Sequence, residues 1–133
     1  MASILVVDDN PDTCDVVSRL LRRAGHDVTC ACSGEEALQL LGTFVPHGIL
    51  LDHMMPGMSG IEVIRALRAD RRFARTPIVL FTAMADDGTR DAAIAAGATD
   101  LWPKPLLAAR LDSALAGLLV GVDGPRTGSD TDE

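Results

Sequence analysis

Tyrosine is absent from the chain, tryptophan occurs once and phenylalanine three times. An aromatic core is therefore excluded, and the 47% apolar fraction has to come from Leu, Val, Ile, Ala and Met. Basic residues are few, twelve against nineteen acids, which gives a net charge of −7. That balance speaks against a nucleic-acid or anionic-membrane surface, since both need clustered positive charge. No long hydrophobic run is present. Ile4 to Val7 and Ile49 to Leu51 are far too short to cross a bilayer. Asp8 interrupts the start of the chain too early for a secretory signal. The three cysteines, Cys14, Cys30 and Cys32, have no metal-chelating spacing. They are expected to be reduced thiols in a cytoplasmic protein. Lysine is the scarcest charge of all: eleven of the twelve basic residues are Arg, and the exception is Lys104. Either this is chance under a strong arginine bias, or Lys104 holds a position that suits a compact ammonium and not a planar guanidinium.

What is there alternates strand and helix five times within a length of 133 residues, which suits one compact domain. Ile4 to Val7 is a continuous aliphatic run, as expected of a strand covered on both faces. Asn10-Pro11 supplies a cap and a first-turn proline for a helix carrying Val16, Val17, Leu20, Leu21 and Ala24, with Gly25 at its end. His26 to Ala31 is a second strand, and Ser33 to Glu36 a capping box before a short helix with Ala37, Leu38 and Leu41 inward. Gly48 to Leu51 is the third strand, and Ser59 with Glu62 a further capping box before Ile61, Ile64 and Leu67. Pro77 to Phe81 predicts the fourth strand, Asp86 to Ala96 a helix stopped by Gly97, Asp100 to Trp102 a fifth strand, and Leu106 to Leu119 a last helix. Such alternation implies an α/β fold, a parallel sheet with helices on both faces. Gly121 to Glu133 lacks periodicity and is expected to be a disordered acidic tail or linker stub after a domain of residues 1–120.

Ligands of open parallel sheets bind beyond the carboxyl ends of the strands. Here those ends carry Asp8 and Asp9, then Asp52, then Thr82, with Lys104 just past the fifth. Two carboxylates at ~4 Å repel by about 4 kcal/mol at an effective dielectric near 20. A hard divalent cation with oxygen ligands and retained waters, Mg2+, is the natural neutraliser. With that ion and Lys104 the three carboxylates reach zero formal charge, so an incoming phosphoryl group is admissible. A carboxylate can attack phosphorus to form an aspartyl phosphate. An ammonium and a hydroxyl such as Thr82 can stabilise its equatorial oxygens. The bland alternative is a set of loop carboxylates capping helix N-termini. Three acids at the strand ends together with Thr82 and Lys104 speak against it.

The segments Val6-Val7-Asp8-Asp9, Leu50-Leu51-Asp52-His53-Met54-Met55-Pro56-Gly57-Met58-Ser59-Gly60, Phe81-Thr82-Ala83, Ala96-Gly97-Ala98 and Lys104-Pro105 together resemble the receiver domain of two-component response regulators, over residues 3 to 119. The resemblance implies a doubly wound, flavodoxin-like (βα)5 fold with strand order 2-1-3-4-5. It implies Asp52 as phosphoacceptor, Thr82 and Lys104 as its helpers, and Mg2+ held by Asp8, Asp9, Asp52 and the backbone carbonyl of Met54. It implies a cis Lys104-Pro105 bond. The implied donor is a sensor histidine kinase or a histidine phosphotransfer protein, docking near Thr13 and Val16. The implied output is a downstream protein bound on the fourth helix, fifth strand and fifth helix. Such a chain is a signalling phosphoacceptor that assists its own phosphotransfer and slow dephosphorylation, and not an enzyme.

One departure from the family pattern is Leu101, where receivers usually carry Tyr or Phe, so aromatic gating is not implied. Trp102 beside it is expected to be a buried strand residue. His26, His47 and His53 lack chelate spacing and are expected to serve as surface or packing residues. Met54 and Met84 occupy positions that flank the phosphoryl group in similar proteins. Two apolar side chains there orient water poorly, so a long-lived phosphate is expected. Three other classes compete. A haloacid-dehalogenase-type phosphatase needs a second Asp two residues after the nucleophile, where Met54 stands. A flavodoxin needs a Ser/Thr/Gly phosphate loop where Asp8-Asp9-Asn10 stands. A pseudo-receiver would lack one of the required residues, and none is missing.

Overall fold

The computed structural model describes residues 2–104 and 114–117. Five strands, β1 (Ser3–Val7), β2 (Asp27–Ala31), β3 (Gly48–Leu51), β4 (Ile78–Thr82) and β5 (Asp100–Pro103), form one sheet in the order β2-β1-β3-β4-β5. Every neighbouring pair is parallel. Between them run α1 (Pro11–Arg23), α2 (Gly34–Leu40), α3 (Gly60–Arg68) and α4 (Asp87–Ala96). This is the flavodoxin-like α/β arrangement that the strand–helix alternation and the family resemblance predict.

β1, β3 and β4 bury both faces because their residues alternate between two aliphatic cores, whereas the edge strand β2 is partly exposed. Leu5, Val7, Ile49, Leu51, Ile78, Leu80 and Leu101 point to one side, where α2, α3 and α4 cover them with Ala37, Ile64, Leu67 and Ala93. Ile4, Val6, Leu50, Val79, Phe81 and Trp102 point to the other, against Cys14, Val17 and Leu21 of α1. Leu115, in the helical residues 114–117, is fully buried on that second side.

The helix ends follow local chemistry. Asn10 caps α1, accepting from the amides of Asp12 and Thr13, and Pro11 starts it. Ser59 and Glu62 form a reciprocal capping box on α3. At α2 the expected box is only half made. Ser33 accepts from the Glu36 amide, but the Glu36 carboxylate reaches the amide of Cys32, one residue too early. Gly97 ends α4 in the left-handed region at φ 113°.

Some expectations are corrected. The buried stripe of α1 is Cys14, Val17, Ser18 and Leu21, whereas Val16 is 54% exposed. The reason is helical spacing: 14, 17, 18 and 21 share a face, and 16 lies off it. A short 3₁₀ turn at Arg71–Phe73, not anticipated, seats Phe73 in the core. The expected helix Leu106–Leu119 is described only at 114–117, and the Lys104-Pro105 bond and the tail lie outside the described residues. No helix among them is long and apolar enough to cross a membrane. The three cysteines are free.

Candidate functional site

The five residues singled out at the strand ends meet at one edge of the sheet. Asp8 and Asp52 are placed by ladder hydrogen bonds that run one residue past their strands. The Asp8 amide donates to the Ala31 carbonyl at 3.1 Å and the Asp52 amide to the Val7 carbonyl at 2.8 Å. Lys104 is placed the same way, its amide donating to the Thr82 carbonyl at 2.9 Å.

Carboxylate oxygens of Asp8, Asp9 and Asp52 all lie within 4.8 Å of one another. The ammonium of Lys104 sits between two of them, 2.5 Å from Asp8 Oδ2 and 3.1 Å from Asp52 Oδ1. Asp8 is 2% exposed and its second oxygen accepts from the Asn10 amide at 2.9 Å, so both its oxygens are engaged by the protein. Asp9 is exposed. Among the described residues the arrangement therefore offers an unpaired carboxylate from Asp9 and an unshared oxygen from Asp52, beside a buried Asp8 whose charge is already directed at Lys104.

Electrostatics agree with crowding. Burial pushes the Asp52 carboxyl above the usual carboxylate range, and the neighbouring Asp8 and Asp9 push the same way. The hydrogen bond from Lys104 only partly offsets them. Burial works against the Lys104 ammonium, yet its hydrogen bonds to Asp8 and Asp52 outweigh that effect and hold its pKa above the ordinary lysine value. A site in which carboxylates outnumber the one cation among the described residues is short of positive charge. Oxygen donors at this spacing suit a hard divalent ion, so the residues present fit Mg2+.

Thr82 is buried at the end of β4, and its hydroxyl oxygen accepts from the Met84 amide at 3.0 Å. That leaves its proton free to donate. Met54 and Met84, at the site's rim, are 60% and 48% exposed, while Met55 is buried in the core and Met58 packs against it. Phe81 contributes a feature not singled out in the sequence: its ring lies under the Lys104 ammonium, 5.5 Å from nitrogen to ring centre. The strand alternation that puts Phe81 beside Trp102 was the available signal.

The loop after Asp52 is held by glycine. Gly57 turns at φ 81°. A Cβ on Gly60 would stand 2.3 Å from the Asp52 carbonyl oxygen and 2.7 Å from Leu80. The amide of Gly60 instead donates to the His53 carbonyl at 2.9 Å. His53 itself has a buried Nδ1 with no hydrogen-bond partner among the described residues. Leu101 is fully buried in the first core and Trp102 in the second, its indole N–H donating to Asp100 at 3.1 Å. The expected buried role for Trp102 holds.

The chain matches a family model described as response regulator receiver domain over residues 4–116. Among curated proteins it is 40% identical over 102 residues to the DNA-binding response regulator MtrA of Mycolicibacterium smegmatis, which covers 77% of this chain and 43% of that protein. It is 39% identical over 103 residues to an uncharacterized 14.6 kDa protein of Leptolyngbya boryana, covering 77% of this chain and 79% of the relative. Against the response regulator PleD of Caulobacter vibrioides the aligned share of the relative is 23%, so several relatives are far longer than the matching segment. Among solved structures, the Vibrio cholerae chemotaxis protein CheY4 superposes with a TM-score of 0.86 at 33% identity, covering 90% of this chain and 99% of that one. The beryllofluoride-activated DrrB receiver domain gives 0.80 at 30% identity over 90% of this chain and 97% of that one.

Proposed function

The chain belongs to the family of response regulator receiver domains, and from that premise we propose that Asp52 is its phosphoacceptor, assisted by Thr82 and Lys104 and by Mg2+ at Asp8, Asp9, Asp52 and the Met54 carbonyl. The observation that carries this is the clustering of three carboxylates, two of which share the half-buried Lys104 ammonium. Such a site is over-supplied with negative charge and poised to gain a cation.

Each residue has a part that its geometry supports. Asp52 directs Oδ1 to Lys104, while its other oxygen has no protein hydrogen bond among the described residues. A carboxylate oxygen of Asp52 forms the new O–P bond as the N–P bond of a donor phosphohistidine breaks, its electron pair returning to the ring nitrogen, so that a donor protonated on its other ring nitrogen leaves as neutral imidazole. Lys104, freed from sharing two carboxylates, can turn one N–H to a phosphoryl oxygen. The Thr82 hydroxyl donates to another. Asp9, exposed and unshared, supports direct coordination; Asp8, with both oxygens engaged, supports a contact through water. When bound, Mg2+ would neutralise charge on the phosphoryl oxygens. The protein is a signalling phosphoacceptor in this reading, one that assists its own phosphotransfer.

Family membership implies a histidine kinase as partner class. The finer reading is a sensor kinase or a histidine phosphotransfer protein docking beside α1, supported by the exposed apolar Val16 close to Thr13. Output through α4, β5 and the helix that follows is supported by exposed Ile94 on α4 and by the Arg90–Asp100 pair joining α4 to β5. The proposal extends to a receiver unit over residues 1–120 and to a cytoplasmic site of action.

The test is a titration with beryllofluoride and Mg2+, followed by Trp102 fluorescence. Trp102 and Phe81 share one buried cluster, and Phe81 lies under Lys104, so the indole is coupled to the site by packing. A saturable, Mg2+-dependent change that Asp52→Asn abolishes is expected. A flat signal in the wild type, together with no labelling by a low-molecular-weight phosphodonor, would overturn the assignment.

A further inference from the structure

The net charge of −7 conceals a basic cluster at the opposite edge of the sheet. Five of the eleven arginines fall within residues 65–75 against the single acid Asp70, a local net charge of +4. The last three of them, Arg71, Arg72 and Arg75, line a cavity of about 390 Å³ together with His47, walled by Val45 and Pro46. The cavity lies between the loops that lead into β3 and β4, hence at the amino ends of the strands, away from the acidic site at their carboxyl ends.

The lining residues differ in what they have left to offer. Arg72 is committed. It pairs with Asp70, donates to the Leu41 carbonyl at 2.9 Å and lies over the Phe73 ring, so it serves as framework. Arg71 and Arg75 make no ion pair or side-chain hydrogen bond among the described residues, and both are exposed. His47 is oriented by its neighbour: its Nδ1 accepts from the Ser3 amide at 2.9 Å. The ring proton is thereby fixed on Nε2, which remains a donor. Among the described residues no carboxylate lines the cavity, so it does not suit a cation, and no Phe, Tyr or Trp ring lines it. Its volume is near the lower end of ligand pockets, roughly 300–1,000 Å³. Planar guanidiniums match phosphate oxygens bidentately.

We propose that this cavity is a binding site for a compact diphosphate-bearing anion, held by Arg71 and Arg75 with His47 Nε2–H as a third donor. A concave, small site favours such a ligand over the acidic face of a protein. The site is independent of phosphotransfer at Asp52, because the two lie at opposite ends of the strands.

The experiment is calorimetric titration of the whole chain with inorganic pyrophosphate, in chelator and without Mg2+, so that the acidic site repels the probe. Amide NMR on the same samples locates the binding. Saturable binding is expected, with shifts at residues 45–47 and 71–76. The double variant Arg71→Gln/Arg75→Gln should bind at least about tenfold more weakly, as loss of charge-assisted hydrogen bonds requires, with an unchanged melting temperature. Asp52→Asn should bind like the wild type. ADP tighter than pyrophosphate would make the diphosphate part of a nucleotide, and ADP no tighter would make it free; both sustain the site. No saturable binding, binding that the double variant retains, or tighter binding of an oligoglutamate peptide than of pyrophosphate would overturn it.

Discussion

Asp52 sits where burial and like charge act together, and its variants report on both. Its carboxyl is held above the usual range in the folded protein, chiefly by burial and then by Asp8, against the partial relief of Lys104. The folded state therefore binds the proton more tightly than the unfolded chain, and stability falls as pH rises from the ordinary carboxylate value through the raised one. Above the raised value the full penalty is present. Asp52→Asn removes it while keeping an oxygen for Lys104, so in metal-free buffer the variant should melt above the wild type, as scanning calorimetry at neutral and mildly acidic pH will show. Lys104 runs with the same sign, in a much more alkaline window. Its raised pKa means its contribution is fully present below the ordinary lysine value and is lost only as pH rises beyond that through the raised one. A second residue-level test concerns lifetime. Met54 and Met84 are exposed apolar chains at the rim. Replacing Met84 with Glu supplies an acceptor for the attacking water, and release of phosphate from the phosphorylated protein should speed up several-fold. An unchanged release rate would show that the methionines do not set it.

At the level of elements, the site depends on how closely α3 approaches the acceptor loop. Gly60 opens α3 with no room for a side chain, since a Cβ would meet the Asp52 carbonyl and Leu80. Overpacking of this kind costs about 1–3 kcal/mol and displaces backbone. Gly60→Ala should therefore lower the denaturation midpoint and slow phosphorylation. Ser59→Ala, which removes only the capping bond to the Glu62 amide, should cost ~1 kcal/mol in urea unfolding and leave phosphorylation nearly intact. The contrast separates a tight backbone approach from ordinary helix capping. Ser59 and Glu62 were legible as a cap because the chemistry is local. Gly60 was legible only as part of a family motif, because the atoms that exclude a side chain there come from β3 and β4.

Across the whole molecule, charge is divided between two ends of one sheet. Three carboxylates gather at the carboxyl ends of the strands and a cluster of arginines at the amino ends. On the proposed reading, adding Mg2+ to the wild type should raise its melting temperature, because an ion held at the acidic triad of the folded state would relieve the repulsion there. The Asp52→Asn variant should gain less, and Arg71→Gln/Arg75→Gln the same as the wild type. A gain in all three alike would place the ion elsewhere.

The sequence by itself determined the alternation of strands and helices, most of the caps, and the identity of every charged group at the acidic edge. Those are set by local pattern: period-two burial in strands, helical spacing, and the turn chemistry of Asn10, Ser59 and Gly97. Only the tertiary structure decided which groups share partners. That Lys104 bridges Asp8 and Asp52 over the Phe81 ring, that Val16 is left exposed, that the Glu36 carboxylate turns to Cys32, and that His47 and Arg71 to Arg75 line one cavity all depend on contacts between residues far apart in the chain. The run of arginines at 65–75 is visible in the sequence, and only the fold brought the last of them beside His47 from a distant loop.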